Sequence, residues 1–154
     1  MSLEVQLREV RDDDLPIFFE HQLEPDANQM AAFPARNRDG FMAHWAKIRA
    51  DETTITRSIV VGDEVAGNVV SWIQDGKRLI GYWVGKDHWG KGIATEALRQ
   101  LLSILSDRPL FANVAKHNVG SIRVLEKCGF IIIKAAQPVD AADGIEEFLL
   151  ELSA

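Results

Sequence analysis

Residues 81–98, GYWVGKDHWGKGIATEAL, put the tightest constraint on what this chain can fold into. Residues 79–84 form a strand-like run, the bend after them carries Gly85, Gly90 and Gly92, and the chain then takes the apolar spacing of a helix. Glycines permit φ > 0 and let the backbone approach a ligand closely. Because the bend opens straight into a helix start, the amides from Trp89 to Ala94 are unpaired donors near a positive dipole end. Such a start binds phosphates without any special side chain, and Lys91 lies among the glycines. An ordinary strand-to-helix turn uses the same residues. Three glycines in eight positions favour a ligand.

The rest of the chain arranges itself around that stretch. Residues 5–10 (VQLREV) alternate apolar and polar and predict a half-buried first strand. Asp12, Asp13 and Asp14 lead into Leu15-Pro16-Ile17-Phe18-Phe19, a helix start with acidic residues in its first turn, and Pro25 ends that helix. Met30-Ala31-Ala32-Phe33 follows and Pro34 breaks again; Phe41, Met42, Trp45 and Ile48 then give a second helix over residues 39–50. Strands are predicted at 58–61, 65–74 and 78–84, with Asp75-Gly76 a two-residue hairpin signal, so these three form an antiparallel meander. The helix after the glycines puts Ala97, Leu98, Leu101 and Leu105 on one face, and Asp107-Arg108-Pro109 stops it. Residues 110–115 form a short buried strand, parallel to the strand before the glycines if the helix is a right-handed crossover. A helix over 118–128 closes with Gly129 at its C′ position, and strands at 130–136 and 145–152 finish the chain, joined by a loop with Pro138 and Gly144.

Composition narrows the function classes. A chain of 154 residues reads as one domain over 1–154. The net charge of −6 argues against a nucleic-acid partner. Cys128 is the only cysteine, which leaves no internal disulfide and no cysteine zinc cage, and no metal is expected. No apolar run reaches membrane-spanning length, so no membrane partner is expected and a cytoplasmic enzyme or binding protein is the default reading.

A second motif, NVGSIRVLEKCGF from Asn118, joins the first. Together with YWVGKDHWGKGIATEAL and the element order, it resembles the GNAT superfamily of acyl-CoA-dependent N-acetyltransferases. The first family motif has the form Arg/Gln-x-x-Gly-x-Gly/Ala; here it is Trp89-Gly90-Lys91-Gly92-Ile93-Ala94, and the first position departs. With Trp there, the string looks like the branch of ribosomal-protein N-terminal acetyltransferases. The second motif maps onto Asn118, Ser121, Glu126, Lys127, Gly129 and Phe130. The resemblance implies a mixed α/β fold, a seven-stranded mixed sheet with helices on both faces and a splay between the fourth and fifth strands. It implies acetyl-CoA as cofactor, its diphosphate on the amides of residues 90–94 with Thr95 as a further donor, and its pantetheine pairing with the free edge of the first parallel strand. Asn118 would then bond the pantetheine arm; a plain N-cap is the other common use of Asn at that place, and the two are compatible.

The chemistry that follows is transfer of acetyl to a primary amine, whether a small amine, an amino-sugar or a peptide N-terminus. The backbone amide of Trp83 or Val84 is expected to hold the thioester carbonyl. Many relatives carry a Glu base near Arg78 or Leu79 and a Tyr acid where this chain has Leu125, so both side chains depart from the pattern. Ser121 is the substitute candidate for the acid. Glu20 and His21, with Glu24 and Asp26, are candidates for the base, and His88 and His117 are weaker ones. The one tyrosine, Tyr82, is expected to pack in the sheet; Trp45 and Trp72 either line the acceptor pocket or fill the core. Two rivals stand beside this reading. One is a binding module that kept the cleft and lost turnover. The other is a nucleotide P-loop, since residues 85–91 fit G-x-x-x-x-G-K, but the next residue is Gly92 where that motif needs Ser or Thr for magnesium.

Overall fold

The computed structural model describes residues 4–27, 36–140 and 145–153, so the apolar turn expected at Met30 to Phe33 and the loop glycine Gly144 lie outside the described residues. Strand β1, Val5–Arg8, leads through a 3-10 turn at Asp12–Asp14 into helix α1, Leu15–Gln22, with Pro16 in its first turn where no amide is needed. Helix α2, Arg38–Ala50, is capped by Asn37, whose side-chain oxygen accepts from the Gly40 amide at 2.7 Å. Strands β2 (Ile55–Val61), β3 (Glu64–Gln74) and β4 (Lys77–Val84) form the predicted antiparallel meander. Asp75 and Gly76 both have positive φ, 52° and 77°, as a two-residue hairpin turn of this twist requires. A 3-10 turn at Lys86–His88 precedes helix α3, Ile93–Ile104. Strand β5 (Leu110–Ala115), helix α4 (Val119–Lys127) and strands β6 (Ile131–Asp140) and β7 (Ile145–Leu152) complete the chain.

The seven strands lie in the order β1-β2-β3-β4-β5-β7-β6, and only β4 and β5 run parallel. One cluster of buried residues joins Ile93, Ala97, Leu98 and Leu101 of α3 and Leu125 of α4 to sheet residues such as Ile59, Val69 and Ile80. A second cluster joins Phe18, Phe19, Phe41 and Trp45 of α1 and α2, with Val70 of β3 packed against it. Trp45 is therefore core, its ring 5.0 Å from that of Phe18. Trp72 lies over Gly81, where an added Cβ would come within 3.2 Å of its ring.

Three boundaries differ from the prediction, one of them at β6, which runs on to Asp140 and so takes Pro138, expected in the joining loop, into register with Glu146 of β7. β1 stops at Arg8 because the chain turns there around a buried carboxylate, and Val10 joins the α1–α2 aromatic cluster. Asp14, 3% exposed, takes two hydrogen bonds from Arg8 (2.6 and 2.9 Å), one from the Arg11 amide (2.8 Å) and one from the Ser58 hydroxyl (2.6 Å). β2 begins at Ile55, three residues before the apolar run, because Ile55, Thr56 and Arg57 pair with Ser71, Val70 and Val69 regardless of polarity.

β4 and β5 pair only through Arg78↔Leu110 and Leu79↔Phe111. Beyond those two pairs the strands part, which is the predicted splay. Everything that follows sits in or beside that gap.

Candidate active site

A cavity of about 490 Å³ runs from the parted end of β4 to the start of α3. The predicted residues Trp83, Val84, Trp89, Gly90, Gly92, Ile93, Ala94, Thr95, Asn118 and Ser121 all line it. Lys91 does not: it is exposed, turned outward between two glycines of positive φ. Gly90 (φ 74°) and Gly92 (φ 77°) hold the left-handed conformation that side chains resist, and a Cβ built on either meets nothing within 4 Å. Their backbone therefore borders open space. The Trp89 amide, expected to be free, is not: it donates to the Lys86 carbonyl (3.1 Å). The Glu96 amide bonds the Gly92 carbonyl (3.1 Å), which leaves the amides of Ile93, Ala94 and Thr95 with no acceptor inside the helix. Arg123 and Lys127 of α4 line the same cavity with Gly120 and Val124. Their 3- and 4-residue spacing puts them on one helix face, a signal present in the sequence that the motif alone did not expose. Open glycine backbone, free helix-start amides and two cations fit a diphosphate-bearing ligand such as CoA.

The end of β4 is ordered by its sheet alternation. The Gly85 amide donates to Ala66 (2.8 Å), so by the antiparallel pattern the Trp83 backbone also faces β3, while the amides of Tyr82 and Val84 turn toward the gap. Of the two amides considered for a carbonyl, Val84 is the one so placed. Its own carbonyl accepts from the Trp89 indole at 2.9 Å, closing the strand end. The Trp83 side chain instead points to α1, its indole donating to the His21 carbonyl at 3.4 Å.

Tyr82 packs against the core from the sheet as expected, but it does more than pack. Its side chain lies on the α3–α4 face and its hydroxyl sits 2.7 Å from Ser121 Oγ, across the gap. Burial, tempered by the Ser121 hydrogen bond, pushes its pKa up to about 12, so the phenol stays neutral. Asn118 caps α4, its Oδ1 accepting from the Ser121 amide at 3.2 Å. A smaller cavity of about 120 Å³ continues into the splay, lined by Tyr82, Asn118 and Ser121 again and by Gly81, Asn113 and Glu147.

The base candidates of the first helix are not brought to Ser121. Glu20, His21 and Glu24 line a separate cavity of about 550 Å³ beside Gly85, and His88 borders both this cavity and the first. The His21 ring packs so closely on Gly85 that a Cβ there would lie 2.7 Å from it. Its Nδ1 is buried without a hydrogen-bond partner, and burial, with His88 adding to it, lowers its pKa. Glu24 and Asp26 are held by Lys86, at 3.5 and 2.5 Å. His117 stands in the turn before α4 and lines neither cavity. Among the described residues no group of His, Cys, Asp and Glu could hold a metal ion, and no helix is long and apolar enough to cross a membrane.

A probable N-acetyltransferase, YjcK, of Bacillus subtilis (strain 168) is 47% identical over 56 residues, 34% of this chain and 31% of that protein. The match thus spans about a third of that relative's length. Among solved structures, a spermidine N-acetyltransferase from Vibrio cholerae in complex with CoA and spermine superposes with a TM-score of 0.82 at 16% identity, over 97% of this chain and 95% of that one. The microcin C7 self-immunity acetyltransferase MccE, in complex with acetyl-CoA and AMP, gives 0.80 at 20% identity, over 98% and 93%. At such identities the likeness is one of fold. A family model described as the acetyltransferase (GNAT) domain matches residues 4–131, and this chain belongs to that family.

Proposed function

We propose that this chain transfers the acetyl group of acetyl-CoA to a primary amine by direct attack within a ternary complex. The observation that carries the reading is the continuous cavity from the free amides of α3 to the gap where β4 and β5 part. The amides of Gly90 to Thr95, with Arg123 and Lys127, bind the diphosphate, and the exposed edge of β4 pairs with the pantetheine arm. Asn118 borders that arm while capping α4. Acetyl-CoA supplies the activated acyl group. The Val84 amide donates to the thioester carbonyl oxygen as charge builds on it.

Ser121 faces the sulfur. With the neutral Tyr82 phenol as the donor of the 2.7 Å pair it makes with Ser121 Oγ, the serine hydrogen is free for the departing thiolate. A thiolate whose acid has a pKa near ~8.5 cannot draw a proton fully from a phenol held at about 12. The pair therefore steadies the thiolate by hydrogen bonding, and water completes the protonation. Glu20 and His21 border the approach of the acceptor from the α1 side. The Vibrio cholerae enzyme of the same fold is named for spermidine, and the Trp89 motif looks like the branch acting on protein N-termini; an amine acceptor is common to these two.

Acetyl-CoA and desulfo-CoA are each expected to raise the melting temperature, because a ligand of the native state stabilises it by mass action. ATP with magnesium should shift it far less. No shift with either CoA species at millimolar concentration overturns the reading. Free thiol release with spermidine, an aminoglycoside and a short peptide with a free N-terminus then separates an enzyme from a binding module. Ser121→Ala is expected to lower kcat about tenfold with the acetyl-CoA Kd nearly unchanged, the pattern of an interaction made mainly in the transition state. Asn118→Ala should weaken acetyl-CoA binding first. A full kcat in Ser121→Ala, with chemistry shown to be rate-limiting, removes Ser121 from the sulfur.

A further inference from the structure

The reaction needs a group that takes a proton from the acceptor's ammonium, and the family's usual place for it holds Arg78 and Leu79. The strand registers bring a different carboxylate to the gap. Arg78 stands opposite Leu110 and Leu79 opposite Phe111, so continuing that register sets Ala115 level with Trp83. Ala115 pairs with Glu147 of β7. Glu147 thus lies at the height of Trp83 and Val84, where β4 and β5 have parted.

The pleat then decides the face. Along β4, Ile80, Tyr82 and Val84 belong to the cluster built on α3 and α4, and along β5 so do Leu110, Ala112 and Val114. The alternate residues, Gly81 and Trp83 on β4 and Asn113 and Ala115 on β5, face the α1 side. Phe148 and Leu150 of β7 are in the α3–α4 cluster, so Glu147 shares the α1-side face with Trp83. The small splay cavity is lined from both faces at once, by Tyr82 and Ser121 from one and by Gly81, Asn113 and Glu147 from the other.

We propose that Glu147 is the general base of the reaction, removing the proton of the acceptor's ammonium from the face of the splay opposite Ser121. The inference rests on the acetyl-transfer reading above. The Glu147 carboxylate accepts one ammonium proton and passes it to water. The nitrogen lone pair forms the C–N bond to the thioester carbonyl carbon, and the C–S bond breaks with its electron pair on sulfur. The second nitrogen proton is lost as the amide forms, and the thiolate, held by Ser121, gains one from water. Amine and sulfur are thereby served from the two sides of one gap.

The surroundings of Glu147 suit the task. It is half-buried, and burial raises its pKa above the ordinary glutamate value, which makes it a stronger base than an exposed carboxylate. Tyr82, neutral at working pH, is the other titratable group lining that cavity among the described residues; Asn113, Asn118 and Ser121 supply its remaining polar lining. On the strands beside it, Ala115 and Gln137 stand opposite Glu147, neither of them charged.

The test compares Glu147→Gln, Glu147→Asp and His21→Asn with the unaltered protein, using whichever of spermidine, the aminoglycoside or the peptide releases thiol fastest. Glu147→Gln is expected to lose about 100-fold in kcat/KM near neutral pH, with the acetyl-CoA Kd within twofold. The loss should shrink as pH rises and the acceptor arrives already deprotonated, a dependence that a merely structural role does not produce. Glu147→Asp, which keeps the carboxyl but withdraws it, should fall between, and should settle the matter if the glutamine variant does not fold. His21→Asn, at the approach of the acceptor, is expected to change KM and to keep the acid limb of the pH profile. Loss of that limb in His21→Asn with its retention in Glu147→Gln makes His21 the base and overturns the proposal. If both Glu147 variants keep the unaltered kcat/KM and its acid limb, the proposal is overturned and the acetyl-transfer reading stands. If the unaltered protein binds acetyl-CoA but acetylates none of the three amines, the reading of function fails with it.

Discussion

Asp14→Ala is expected to cost about 3 kcal/mol of folding free energy, read as a lower midpoint in urea unfolding. The carboxylate ties three segments, β1 through Arg8, the 3-10 turn through the Arg11 amide and β2 through Ser58. Removing it leaves the fully buried Ser58 hydroxyl without its acceptor and strips the Arg8 guanidinium of its carboxylate, though the Glu9 carbonyl still accepts from Arg8. Burial works against the charge on Asp14, but the hydrogen bonds from Arg8, Ser58 and the Arg11 amide, with the Arg8 charge, outweigh it and hold the pKa at about 2. The folded value lies below the unfolded one, so this contribution is complete above pH 4–5 and is lost as pH falls through about 2. It amounts to about 2 kcal/mol, and about half should be gone at pH 3. The stability gap between the unaltered protein and Asp14→Ala should therefore narrow between pH 6 and pH 3. A gap that stays constant over that range means that the carboxylate is not held ionised by these partners.

That buried carboxylate also shows where the sequence stops being legible. A run of three aspartates reads as acidic residues of a helix's first turn, and nothing local distinguishes Asp14 from its exposed neighbours. Its role comes from Ser58, 44 residues away. Elements governed by their own residues were readable. The Asp75-Gly76 turn, the α3 stripe and the Asn118 cap each depend on a few neighbouring positions. So were the two family motifs, and with them most of the cavity lining. What escaped was any contact set by two distant elements. Strand alternation places Tyr82 on a face but cannot say that α4 delivers Ser121 to its hydroxyl. Glu147 is one of several glutamates in the last strand, and a glutamate is ordinarily solvent-facing. Only the missing β4–β5 pairing turns that outward face into the wall of a cavity. Glu20 and His21 stand on the first helix, where the family pattern borders the acceptor, but they line a cavity beside Gly85 that Ser121 does not share.

Gly92→Val is expected to weaken acetyl-CoA binding by at least tenfold, or about 1.4 kcal/mol, and up to about 100-fold. Two effects add. At φ 77° a β-branched side chain strains the turn that presents the amides of Ile93 to Thr95. The added atoms also enter space that no protein atom fills within 4 Å, beside the cavity that Gly92 lines, where the proposed function seats the diphosphate. Gly62 separates the two effects. It too has positive φ (61°) and open space around it, but it lies in the β2–β3 turn and lines none of the cavities described above. Gly62→Val should therefore lower stability through backbone strain and leave the acetyl-CoA Kd unchanged. Isothermal titration of both folded variants reads the difference. Equal Kd values for the two, matching the unaltered protein, would mean that Gly92 serves the turn alone and that the diphosphate binds elsewhere than at the start of α3.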